Sequence, residues 1–218
     1  TAPSSRHEGA FSYFHPFLIL TRLTDKPSRR YSKIVNAMSK HLQNPTRSNL
    51  LKAANALLLE HGANALTLEA VAARAGISKG GLLYHFPSKD ALIEGMVERY
   101  LAEFEARIDA RLADITQPTP IDWARAYIEA CLEPDIEGMA VSAALLAAVS
   151  VNPILLQPMQ ARYAAWQARL DELPDQTVAW LIRLALDGLW VTDLLLIAPP
   201  TADQRRALAQ RLIALLGD

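Results

Sequence analysis

The chain has 218 residues, 51% of them hydrophobic and 21% charged, with 22 Lys+Arg against 23 Asp+Glu for a net charge of −1. This composition excludes a disordered, collagen-like or purely coiled-coil protein, and the length allows one domain or two small ones. The net charge argues against a nucleic-acid partner, but residues 1–37 carry six basic and two acidic side chains, residues 38–100 seven and five, and residues 101–218 nine and sixteen. A basic first part and an acidic second part read as two jobs, with a polyanion as partner of the first.

The single cysteine, Cys131, leaves no disulfide framework within the chain and no cysteine-based zinc site. No apolar run reaches the roughly 18 residues that a membrane-spanning helix needs. Residues 11–20 (FSYFHPFLIL) are apolar but interrupted by His15 and Pro16, and no A-x-A cleavage site follows them. The expectations are a cytoplasmic protein with no membrane association, no cofactor and no metal.

Residues 1–45 read as an N-terminal extension. They hold mixed aromatics, several prolines, the basic group Lys26, Arg29, Arg30 and Lys33, and no helical period. The chain starts at Thr1, and its first methionine is Met38. Two readings fit residues 1–37: chain upstream of a native start at Met38, or a basic arm that helps grip DNA.

From Thr46 onward the pattern is helix after helix. Thr46 is placed to cap the first, whose apolar stripe is Leu50, Ala54, Leu57 and Leu58, with Gly62 at its stop. Thr67 caps a second helix with Glu69 in its first turn; Leu68, Val71, Ala72 and Ala75 form one face, and Gly76 ends it. A third, short helix begins at Ser78, three residues after the second ends. Two helices joined by a tight glycine-containing turn form the helix-turn-helix pattern. Pro87-Ser88 breaks the third helix, and Ser88 caps a long fourth one reaching about Asp114. Further helices are expected over 120–132, 136–150, 153–171, 174–197 and 202–216. The expected fold is all-α: an N-terminal three-helix unit with the helix-turn-helix over 46–92, then a larger helical bundle over 93–218.

The stretch 67–92, TLEAVAARAGISKGGLLYHFPSKDAL, carries the chemistry. Gly80 and Gly81 sit inside a short helix, where each costs about 1 kcal/mol relative to Ala. Their presence suggests a close backbone approach. Lys79, Tyr84, His85 and Lys89 surround them, while Leu82 and Phe86, four apart, supply the inward anchor. A helix with a glycine-paved outer face and a basic rim suits the major groove.

This stretch resembles the TetR/AcrR family of transcriptional repressors. The family wording is close to G-V-S-x-G-T-L-Y-x-H-F-x-S-K-x-x-L, and matches fall at Gly76, Ser78, Gly80, Leu82, His85, Phe86, Ser88, Lys89 and Leu92. Two positions depart from it. Gly81 stands where Thr is common, and Leu83 where a tyrosine is common, with Tyr84 one place later. The resemblance implies base or groove contact by Lys79, Gly80, Gly81 and Tyr84, phosphate contact by Thr67, His85 and Lys89, and an arm at the minor groove or backbone for Arg47. Ser78, which opens the helix, completes the DNA-binding set.

Residues 101–218 hold all four tryptophans. Trp123, Tyr127 and Cys131 are spaced i, i+4, i+8 on one helix face; Tyr163 and Trp166 lie on another helix, and Met139 on a third. Either core packing or a small-molecule cavity accounts for them, and the resemblance implies an apolar or aromatic effector that releases DNA. Residues 178–197 and 207–216 are strongly apolar. The resemblance makes residues 174–216 a homodimer interface, which would set two recognition helices roughly 34–36 Å apart on a near-palindromic double-stranded operator. The fourth helix, which begins beside Lys89 and runs into the bundle, is the expected lever between effector and DNA.

An enzyme would need a nucleophile–base pair, a metal cluster or a phosphate loop. The five histidines (His7, His15, His41, His61, His85) all precede the acidic half, and no H-x-x-x-H or G-x-x-x-x-G-K pattern occurs. The remaining alternative is a helical protein-interaction adaptor without DNA readout.

Overall fold

The structure is a computed structural model, and it describes residues 45–217 except Pro134. The extension read over 1–45 therefore lies outside the described residues, apart from Pro45. Among the described residues there are nine α-helices and no strand.

The first three helices are α1 (Pro45–His61), α2 (Leu68–Ala75) and α3 (Lys79–His85). Helix α1 begins two residues earlier than a cap at Thr46 would place it, so Thr46 lies inside its first turn. A single 3₁₀ turn, Ala63–Ala65, follows it. Local chemistry accounts for the next two helices. The Thr67 hydroxyl accepts from the Ala70 N–H at 3.1 Å, and Ser78 accepts from Gly81 at the same distance. Between them Gly76 adopts φ +68°, a left-handed conformation in which a Cβ is strained, and its N–H closes the end of α2. That residue makes the sharp turn between α2 and α3 possible.

Helix α4 (Lys89–Leu112) is capped by Ser88, which accepts from Ala91 at 3.0 Å. It runs straight through residue 92, where the sequence pattern divides the domains. Leu92, Ile93, Met96 and Val97 join the core of the first three helices, and Leu101, Phe104 and Ile108 join that of the bundle. One continuous core results.

The bundle consists of α5 (Pro120–Leu132), α6 (Ile136–Val149), α7 (Gln157–Leu170), α8 (Gln176–Leu195) and α9 (Ala202–Ala214). A 3₁₀ turn, Pro153–Leu156, precedes α7, where the sequence pattern suggests helix from 153 onward. Helices α5 and α9 start on reciprocal capping boxes, Thr119 with Asp122 and Thr201 with Gln204. Helix α6 packs on both α1 and α4, and Tyr100 lies so close over Gly138 that a Cβ there would collide with its ring. No helix among the described residues is long and apolar enough to cross a membrane.

Candidate nucleic-acid interface

Leu82 and Phe86 are 0% and 1% exposed, so the inner side of α3 is anchored as the four-residue spacing suggests. The outer side is then fixed by helical geometry. Tyr84 is 85% exposed with its ring edge-on to His85, the centroids 5.1 Å apart, and Gly80, Gly81, Lys79 and Ser78 are also exposed. Leu83, where the family commonly has tyrosine, is partly exposed beside Tyr84.

Nothing among the described residues demands glycine at 80 or 81. A Cβ at Gly80 would meet only the Ser78 hydroxyl at 4.0 Å, and one at Gly81 only Ser78 and Ile77 at 3.4 and 3.6 Å, which are ordinary contacts. Neither has a left-handed backbone. The helix-propensity penalty of the pair is therefore unexplained by packing among the described residues. Gly80→Ala and Gly81→Ala are each expected to raise stability by about 0.5–1 kcal/mol while weakening DNA binding. Denaturant melts and DNA titrations of the same preparations check both halves.

The two lysines occupy the first positions of α3 and α4, the positive ends of those helix dipoles. A cation there is opposed by the local field, whereas an anion is welcomed by the free N–H groups and the lysine together. Lys79 is partly compensated: its ammonium lies 2.5 Å from Glu69 on α2, and that hydrogen bond holds the Glu69 carboxyl below its usual range. Lys89 is exposed and has no such ion pair among the described residues. Thr67 is exposed with its hydroxyl already capping α2, and His85 is half-buried in the last turn of α3.

Arg47 differs from the arm that the resemblance implies. Its guanidinium lies 3.4 Å from Glu98 and 5.0 Å over the Phe86 ring, and its side chain is only 13% exposed. It is held between α1, α3 and α4 as a packing group, because the burial of Phe86 creates an aromatic face that a guanidinium covers well. Burial pushes the Glu98 carboxyl up despite this partner. Glu69 is the residue that sequence reasoning missed. Its place in the first turn of α2 marks it only as a dipole partner, and the α2–α3 crossing brings it to Lys79.

In the bundle, Phe104, Trp123, Tyr127, Tyr163 and Trp166 form one aromatic cluster. Trp123 stacks on Tyr127 at 5.2 Å, Trp166 lies 4.9 Å from Phe104 and 5.1 Å from Tyr163, and Phe104 meets Tyr127 edge-on at 5.9 Å. Arg183 covers Tyr163 at 4.4 Å. Burial pushes the Tyr127 and Tyr163 phenols up and the Cys131 thiol up to about 12. Five of the six residues read as a ligand set thus pack against one another or the same core, and Met139 stands half-buried on α6. The rings fill one another's faces. An open cleft of about 330 Å³ lies elsewhere, between α1, α4 and α6.

A small reader with a glycine turn, joined by one long helix to an all-helical bundle, defines a two-part helix-turn-helix protein. The comparisons agree with this. Residues 50–96 match the family described as "Bacterial regulatory proteins, tetR family", and residues 122–217 match "Tetracyclin repressor-like, C-terminal domain". The chain belongs to the TetR family. The "HTH-type transcriptional regulator UidR" of Escherichia coli K12 is 38% identical over 69 residues, 30% of this chain and 35% of that protein. The "HTH-type transcriptional repressor BepR" of Brucella suis is 33% identical over 89 residues, 40% and 42% of the two chains. The match therefore spans about a third of UidR and about two-fifths of BepR. Among solved structures, the multidrug binding protein EbrR complexed with imidazole superposes with a TM-score of 0.56 at 25% identity, over 76% of this chain and 93% of that one.

Proposed function

We propose that the protein is a DNA-binding transcriptional repressor that leaves a near-palindromic operator when a small-molecule effector occupies its C-terminal bundle. The observation that carries this reading is the outer face of α3, where Tyr84 and two glycines stand exposed between lysines at two helix N-termini. Lys79, Gly80, Gly81 and Tyr84 are its groove contacts; Thr67, Ser78, His85 and Lys89 hold the backbone. Repression is supported by the name of BepR, and effector binding by the EbrR complex.

The protein acts as a homodimer through α8. On that helix Trp180, Leu181, Leu184, Val191 and Leu195 are 39–61% exposed and lie within one arc, while Ala179, Ile182, Leu186 and Leu189 point into the core. An apolar face of that extent is a docking surface, and a second copy offers its match. The C-terminal leucines contribute less than their number suggests, since Leu212 of α9 and Leu216 just beyond it are 4% and 8% exposed and face their own bundle.

The aromatic cluster supports the effector half, because Phe104 belongs to α4. An apolar effector inserted between Phe104 and Trp166 would move α4, and with it Lys89 and the reader. It releases DNA only if it binds the DNA-incompetent arrangement more tightly.

Selection of genomic fragments by the purified protein tests the reading and yields the operator. On that site Tyr84→Ala and Lys79→Ala are expected to change sequence preference by about tenfold or more. Lys89→Ala is expected to weaken all DNA alike and to lower the log–log salt slope by about 1.8, two phosphate contacts per dimer at about 0.9 each. Equal losses on operator and random DNA for all three would defeat the assignment. A purified dimer that retains no fragment would instead favour the adaptor.

A further inference from the structure

We propose that the cleft between α1, α4 and α6 binds a small organic cation carrying N–H donors, an amine, amidine or guanidine. This goes beyond the repressor reading and depends on neither DNA nor the aromatic cluster.

The first observation is a buried acceptor. Asn55 on α1 is only 9% exposed and lines the cleft. Its Nδ2 donates to Glu137 Oε2 on α6 at 3.3 Å, while its Oδ1 is buried with no donor. A buried amide oxygen without a donor is a standing penalty, and an N–H from an occupant would relieve it. Asn55 also interrupts an otherwise apolar face, between Ala54 and Leu57.

The second observation is charge. The cleft wall holds the carboxylates of Glu103, Asp135 and Glu137 against the single guanidinium of Arg107. Arg107 pairs through Nη2 with Asp135 at 2.9 Å, and its buried Nε lies 3.8 Å from Glu133 without a hydrogen-bond acceptor, so its charge is largely matched by these two carboxylates while one N–H stays unused. Glu103 accepts from Arg99 at 2.7 Å. Glu137 receives the Asn55 amide, and no cation among the described residues pairs with it. An anion would meet the uncompensated carboxylate, and a neutral ligand would leave it unpaired. A cation with N–H groups satisfies Asn55 Oδ1 and Glu137 together.

The third observation is shape. The cleft volume of about 330 Å³ suits a molecule of one ring or a short chain. Tyr100, seated on Gly138, forms an aromatic wall against which a cation is attracted. Since α1 belongs to the reader and α6 to the bundle, an occupant held by Asn55 and Glu137 bridges the two.

The test is calorimetric titration of the full chain with benzamidine, benzamide and benzoate, which share a ring and differ in charge. Benzamidine is expected to bind at least tenfold more tightly than benzamide, and benzoate not at all. Glu137→Gln keeps the side-chain shape and is expected to lower benzamidine affinity at least tenfold without moving the thermal midpoint. Asn55→Leu is expected to lower it similarly, and Glu172→Gln, an exposed carboxylate outside the cleft, to leave it unchanged. No benzamidine binding, equal binding of the three compounds, or wild-type affinity in Glu137→Gln overturns the proposal. DNA binding is measured on the same preparation. Retained DNA binding without benzamidine binding sinks the site alone, and the converse sinks the regulator reading alone.

Discussion

Leu184→Glu is expected to leave the protein monomeric, on the proposed pairing of two copies through α8. Leu184 is 61% exposed in the single chain and centres the outward arc of α8, so in a two-fold interface each copy would bury the new carboxylate in apolar surroundings. An unpaired charge buried twice per dimer should raise the dissociation constant about a hundredfold or more. Loss of the second reader then removes the bivalent gain on a two-half-site operator, about 10²–10⁴ in affinity. The fold should survive, because Ile182, Leu186 and Leu189 keep the inner face of α8 in the core. Light scattering across a concentration series and far-UV circular dichroism check the two halves. A variant that remains dimeric at micromolar concentration would move the interface away from α8.

Phe86→Ala is expected to destabilise the protein by about 3–5 kcal/mol. The side chain is 1% exposed and meets three elements at once: it closes α3, lies against α4 so tightly that a Cβ at Gly95 would come within 2.7 Å of its ring, and carries Arg47 of α1 on its face. Its loss leaves a cavity and strips the aromatic partner from a guanidinium that is largely buried. For a chain of this size the thermal midpoint should fall by about 10 °C. Tyr84→Ala, two residues away, is the control. With its ring 85% exposed, its stability change should stay within about 0.5 kcal/mol while DNA preference changes. Thermal melts of both variants decide between an anchor and a reader on the same short helix.

The reader was legible in the sequence because its determinants are local. Thr67, Ser78 and Ser88 each cap a helix within three residues, Gly76 turns the chain by its own φ, and Leu82 with Phe86 sets the inner face of α3 by helical spacing. Once that face is set, the exposure of Tyr84 and the glycines follows. Residues acting across elements were not legible. Arg47 read as a basic arm residue and is instead clasped by Glu98 and Phe86, which are 51 and 39 positions away. Glu69 read as a partner of its own helix and meets Lys79 through the α2–α3 crossing.

By itself, then, the sequence determined the helices of the reader, their caps and turn, the outward face of α3, and the family, all of which depend on spacings of a few residues. The tertiary structure alone decided that the bundle's aromatic residues pack face to face and edge to face, that Leu212 of α9 turns inward while Leu181, Leu184 and Leu195 of α8 turn out, and that a polar cleft opens beside Asn55. A helical period states which residues share a face. Which neighbour covers that face is set by close packing among helices distant in the chain, and no local pattern encodes it.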